Sequence, residues 1–399
     1  MAQTVVLRRS QAPWTIFSYG FRPFFLGASL WAALSMALWI PFVSGIVVLP
    51  TAFDPVSWHA HEFLYGYLGA VIAGFLLTAI PNWTSRPPLI GWPLGLVFLL
   101  WVAGRVVMMF SMGLPPFAVA IVDLSLPVAI AVVAGNEILA GKNWRNLIIL
   151  ALLAAFILGN AIFHWEAARG NFAAHGYGLR IGLGVTVMMI AIIGGRIVPL
   201  FTRNWLTRRG GGRLPVLPMQ TFDKVALLIL LAALIAFVVR PAGTVTALAL
   251  VLAGAAHTWR LIRWAGDRTV AEPLVWVLHI GYAFIPLGAF GLAGNVLVPD
   301  LITPSATQHL WMTGAIGTMT LAVMTRATLG HTGQNLAANA GTLCIYIALL
   351  AAVAMRLAAG IWIDHAMWLY TCAGAAWFAA FGGFAVAYGP LLLRTKTPV

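Results

Sequence analysis

The run LIILALLAAFILGNAIF, residues 147–163, decides the fold. It carries no ionisable side chain and a single amide, Asn160. A helix rising about 1.5 Å per residue needs roughly 20 such residues to cross the hydrocarbon core of a bilayer. No water is present there to satisfy peptide groups, so a lone apolar segment crosses as a helix. Runs of the same kind follow one another along almost the whole chain. They predict spans at 24–47, 56–82, 89–111, 116–139, 144–166, 173–203, 221–240, 242–264, 272–296, 304–329, 337–359 and 364–391. The expectation is an all-α integral membrane protein of about twelve transmembrane helices, one polytopic domain over 1–399.

Composition agrees. Of 399 residues, 61% are hydrophobic and 8% charged, against about 25% charged in a soluble domain. The formal charge of +13 does not indicate nucleic-acid binding, because the basic residues are spread over short loops rather than gathered on one face. They follow the positive-inside rule instead. With the N-terminus inside, Arg8, Arg9, Arg22, Arg86, Lys142, Arg145, Arg203, Arg208, Arg209, Arg213, Lys224, Arg260, Arg263, Arg268, Arg394 and Lys396 fall on the inner side. Only Arg169 and Arg240 fall outside, and five arginines lie within spans. Both termini are therefore expected on the cytoplasmic side. The N-terminus has no small-residue cleavage site, so the first span reads as an uncleaved helix. Trp58, Trp83, Trp144, Trp165, Trp205 and Trp264 sit at span ends, where interface anchors belong. Cys344 and Cys372 form no C-x-x-C and read as small buried side chains.

The nine histidines sort by this orientation. His59, His61, His164, His175, His309 and His365 lie at outer helix ends, and His257, His279 and His331 in the inner half. Imidazole is the commonest metal ligand, and helices converging at one depth can build an intramembrane metal site. In WHAHE, residues 58–62, His59 and His61 are about 200° apart around the helix. They point to opposite faces and would serve two different centres. Glu62, three residues after His59, is placed to orient it, and Tyr65 lies on the face of His61.

Helices 2, 6 and 10 each begin with an outer histidine and end near Arg86, Arg203 or Arg326, four helices apart in order. That pattern points to three parallel four-helix units. Arg196, within helix 6, needs a partner such as a haem propionate or an anionic lipid, or must snorkel to the interface. The small residues of helix 10 would admit either a flat cofactor or a close helix seam. His279 and Tyr282 share a face and are placed to pair with His257 or His331, or to fill core.

WHAHE at 58–62, GGRIVPLFTRNWL at 194–206, LHIGYAFIPLG at 278–288 and GAIGTMTLAVMTRATLGHTG at 314–333 resemble the NnrS family of bacterial inner-membrane proteins. Phe63 stands where the family pattern leads one to expect Met. The resemblance implies a haem- and copper-containing protein of nitric oxide and nitrosative stress, acting in denitrification as a sensor, a sink or a haem-copper nitric oxide oxidoreductase. It implies b-type haem and copper near the periplasmic side, with His59, His61, His164, His175 and His309 as the metal-ligand pool. His279, His331, Arg196, Arg203 and Arg326 are a second set of candidates, as inner-side ligands or propionate partners. The helix layout also resembles that of the heme-copper oxidases, although layout does not establish chemistry. The chain has no C-x-x-C-H, so turnover would need a donor protein or a quinol. The rival expectation is a secondary transporter of haem, copper or a nitrogen-oxide species.

Overall fold

The structure is a computed structural model and describes residues 15–299 and 302–394. Arg8, Arg9 and Lys396 lie outside them. Among the described residues, twelve long helices run in chain order. They are α1 (Phe21–Val43), α2 (Pro55–Thr84), α3 (Trp92–Met109), α4 (Pro116–Ala140), α5 (Leu147–Ala168) and α6 (Tyr177–Thr207). Then come α7 (Thr221–Val239), α8 (Thr244–Ile262), α9 (Pro273–Leu297), α10 (304–332), α11 (Ala340–Ala358) and α12 (Ala366–Leu393).

Eleven of these are long and apolar enough to cross a membrane. The remaining one is α10, rich in threonine, and residues 311–322 of it are buried. A helix wrapped by other helices has no lipid to face, so it tolerates hydroxyls that bond back to its own carbonyls. Thr320 Oγ1 does this with Ile316 at 2.6 Å. Helices α2 and α6 are likewise mostly enclosed, with 83% and 72% of their apolar windows buried, against 33–44% for eight of the others.

Packing repeats every four helices. Pairs α1–α2, α5–α6 and α9–α10 pack together, as do the hairpins α3–α4, α7–α8 and α11–α12, and α4–α5, α8–α9 and α12–α1 link the units. Helices α2, α6 and α10 meet at the centre, where Tyr67 Oη lies 2.7 Å from Thr320 Oγ1. The three-unit pattern in the sequence is thus present in the packing.

Several boundaries and side chains depart from expectation. Helix α1 ends at Val43 rather than 47, because Gly45 takes φ +72 and Ile46 and Val47 turn back to the carbonyl of Pro41. Trp58 and Trp264 are fully buried rather than interfacial. Cys344 is exposed and Cys372 half-exposed; both stand on the outer helices α11 and α12, where lipid replaces a protein core. Arg22 and Arg260 are buried rather than loop cations. Arg22 Nη1 donates to the carbonyls of Leu391, Leu392 and Arg394, closing the C-terminal end of α12.

Candidate metal centres

Helix α2 starts firmly. Asp54 Oδ1 accepts from Val56 N at 3.0 Å and Ser57 N at 2.9 Å, and Pro55 takes the first helical position. This fixes the rotation of the next turn, which carries WHAHE. Directly after His61 the helix widens into a π segment, Glu62–Tyr67. A second π segment, Leu310–Gly317, follows His309. Such segments are rare and concentrate at functional sites.

The two histidines of α2 do face opposite ways. His59 turns toward α1 and α10–α12. It stacks on Trp39 with ring centroids 4.2 Å apart, and Trp39 is itself held by Pro55 O at 2.9 Å. His59 and His309 line one small cavity of about 40 Å³, together with Met36, Met312, Arg356 and Tyr370. His309 Nδ1 donates to Ser305 O at 2.7 Å, which leaves Nε2 as the lone-pair nitrogen. Among the described residues no hydrogen bond reaches the ring of His59. Arg356 Nη2 donates to Ser305 Oγ at 2.6 Å, while its Nη1 is buried with no partner.

His61 turns the other way, toward α3, α4 and α5, into a filled ionic cluster. Its Nδ1 lies 3.1 Å from Glu62 Oε1, and its Nε2 lies 3.0 Å from Asn160 Oδ1 and 3.2 Å from Asp123 Oδ2. His164 Nε2 lies 3.1 Å from the same Asp123 oxygen, and Asn160 Nδ2 donates to it at 2.7 Å. Arg105 ties the carboxylates together. Its Nη1 reaches Glu62 Oε1 at 2.6 Å and Oε2 at 2.5 Å, and its Nη2 pairs with Asp123 Oδ1. Trp31 Nε1 also donates to Glu62 at 2.7 Å. Every ionisable member of the cluster is buried.

Glu62 therefore orients His61, not His59. The π turn and the pull of Arg105 bring its carboxylate round to the α3 side, against the angle of a regular helix. Tyr65 packs on His61 as expected, with centroids 5.4 Å apart, and its hydroxyl donates to Gly178 O at 2.7 Å. His164 joins His61, and His309 joins His59. His175 joins neither; it is exposed, with its ring against Phe172.

The inner candidates divide as well. Arg326 and His331 line a cleft of about 460 Å³ between α1, α2, α6 and α10, walled by Phe21, Phe25, Phe75 and Phe201. Arg326 stacks over Phe201 at 4.1 Å, and His331 packs against Phe21 at 5.3 Å. Arg208 lines this cleft too, although its sequence position marked it only as a topology signal. Arg196 and Arg203 do not line it. Arg203 Nη2 donates to Pro215 O at 2.9 Å, and Arg196 is half-buried with Nε unpartnered. His279 Nε2 lies 2.8 Å from Thr202 Oγ1, away from the cleft. Tyr282 pairs with His257 at 2.8 Å, inside a second buried network in which Arg260 binds Asp223 at 2.8 Å. On α10, Gly314 is covered by Phe284 and Gly317 by Trp377, so its small residues form a helix seam.

Asp123, Arg105, Asn160, Met36 and Met312 are absent from the sequence candidates. The first three carried a signal. Each is an isolated polar or ionisable group in an apolar span, and such residues mark function or a buried partner.

A family model described as NnrS protein matches residues 15–396. No curated protein matches the chain.

Proposed function

Because the chain belongs to the NnrS family, we propose that it is a haem- and copper-containing membrane protein that binds nitric oxide, with its copper near the outer side. The observation that carries this reading is the meeting of His59, His309, Met36 and Met312 on one small cavity. Imidazole and thioether together suit copper in its reduced form. The Ser305 carbonyl sets the tautomer that leaves His309 Nε2 ready as a ligand. His59 has its ring orientation fixed by Trp39 and, among the described residues, no competing hydrogen bond.

Size supports different places for the two groups. A cavity of about 40 Å³ holds an ion and a molecule of a few atoms, not a macrocycle, whose pockets run to roughly 300–1,000 Å³. The inner cleft of about 460 Å³ falls in that class. Its phenylalanines would supply flat apolar walls, His331 an imidazole for the iron, and Arg326 and Arg208 guanidiniums for the carboxylates. Bound there, haem would supply an iron able to bind nitric oxide, and copper a one-electron couple on the other side. An apolar cavity of about 90 Å³ between α2, α5, α6 and α10 shares Phe75, Ile197 and Val323 with the cleft. It gives a small apolar molecule a dry approach from the bundle interior. Arg356, with its unpartnered Nη1 beside the outer cavity, offers a donor to a bound anion.

The test is metal and haem analysis of the purified full chain, with optical spectra before and after anaerobic nitric oxide. His331→Ala is expected to lose haem and the nitric oxide-dependent Soret shift while keeping copper. A colourless, metal-free wild type that keeps its fold would overturn the reading in favour of a transporter.

A further inference from the structure

The ionic cluster on the other face of α2 remains unused by that function, and its donors and acceptors leave one point between His61 and Asp123 to be filled. Glu62 and Asp123 are acceptors, so the Nδ1 of His61 carries the hydrogen shared with Glu62. A neutral ring would then turn the Nε2 lone pair on Asp123 Oδ2 and Asn160 Oδ1, both acceptors too, so this nitrogen holds either a second proton or a metal ion. The Asn160 oxygen is fixed in that role, because its Nδ2 donates to Asp123. His164 Nε2 converges on the same carboxylate oxygen. Two imidazole nitrogens, a carboxylate oxygen and an amide oxygen thus surround one point, which either a proton on His61 Nε2 or a metal ion fills.

We propose that His61, Asp123, His164 and Asn160 form a second metal centre for a divalent first-row transition ion, separate from the His59–His309 cavity. Ligand atoms around a tetrahedral ion with bonds of roughly 2.0 Å stand about 3.3 Å apart. Here the Asp123 oxygen is 3.1 Å and 3.2 Å from the two imidazole nitrogens, and the amide oxygen 3.0 Å from His61. One ligand atom each from His61, Asp123 and His164 lies within 4.8 Å of the others. The surrounding shell is the one metal sites use. Glu62 takes the second nitrogen of His61, and Arg105 takes the second oxygen of Asp123, so these two ligands are oriented from outside the site. Binding displaces the proton that otherwise occupies His61 Nε2. The Phe53 ring, in the outer loop before α2, lies over both histidines at 6.1 Å and 5.9 Å and closes the site on the outer side. With its members packed and buried, the site is closed in the manner of a structural centre.

The experiment uses the full-length His59→Ala/His309→Ala double variant, from which the other proposed centre has been removed. The protein is stripped with chelator and titrated with Co²⁺ alone, following the visible ligand-field bands. One equivalent of tightly bound Co²⁺ with the intensity of four- or five-coordination is expected. Adding His164→Gln should weaken binding at least about 10-fold, and Glu62→Gln about 10- to 100-fold, the usual cost of losing an orienting partner. His164→Gln keeps the Glu62–Arg105–Asp123 pairs and so reports on the site even where Asp123→Asn does not fold. No Co²⁺ band in a double variant of unchanged helicity would overturn the proposal and leave a proton on His61. A band that ignores both His164→Gln and Glu62→Gln would also overturn it. Copper in the wild type is measured separately, so the two centres fail independently.

Discussion

His59 and His61 stand two residues apart on one helix and live in opposite environments. His59 looks into a small cavity bordered by thioethers and aromatic rings, with no hydrogen bond to its ring and a stacked indole to steady it. His61 looks into a packed cluster where it meets two carboxylates and an amide. The first arrangement leaves a lone pair and room, which is what a site for exchangeable chemistry requires. The second is filled and interlocked, so it holds α2, α3, α4 and α5 together as well as any ion within it. Position along the chain does not tell the two apart; what lies across each helix face does.

That contrast predicts unequal responses to substitution. The largest effect belongs to Arg105→Leu, which strands Glu62 and Asp123 as buried carboxylates. Removing one partner of such a network costs about 3–5 kcal/mol, to be read as lost thermal stability and poor recovery of monodisperse protein in detergent. A wild-type melting curve would show that the cluster does not hold the fold. Gly66→Ala comes next. Its added methyl would meet Arg105 Nη1 and Glu62 Oε2, and overpacking of that kind costs about 1–3 kcal/mol. On the other face, His309→Ala should shift stability by no more than about 1 kcal/mol while abolishing copper binding. A variant that retained full copper would remove His309 from the centre. The mildest change is Met36→Leu, which conserves volume and is nearly neutral for folding. It should weaken Cu⁺ affinity and leave haem content unchanged. Unaltered Cu⁺ affinity would limit Met36 to packing.

The sequence made the spans readable because a bilayer imposes length and polarity on every segment, as residues 147–163 show. It also made the opposed faces of His59 and His61 readable, since helix geometry alone separates i from i+2. The partner of Glu62 was not readable, because it depends on a π turn and on an arginine supplied by α3. Nor was the pairing of His59 with His309, separated by 250 residues of chain and joined only when α2 and α10 come together at the centre. Asp123, Arg105 and Asn160 each sit alone in an apolar run; their meeting is a property of packing between helices. His175 shows the converse, because an outer position on a central helix placed it at the right depth but on an exposed surface.

The central claim, that one short motif serves two different centres, meets its most direct test in X-ray absorption at the copper edge of the purified wild-type chain. A first shell combining imidazole nitrogen with thioether sulfur is predicted, as His59, His309, Met36 and Met312 would supply. Copper surrounded by nitrogen and oxygen alone would place it instead at the His61–Asp123–His164 face and contradict the assignment.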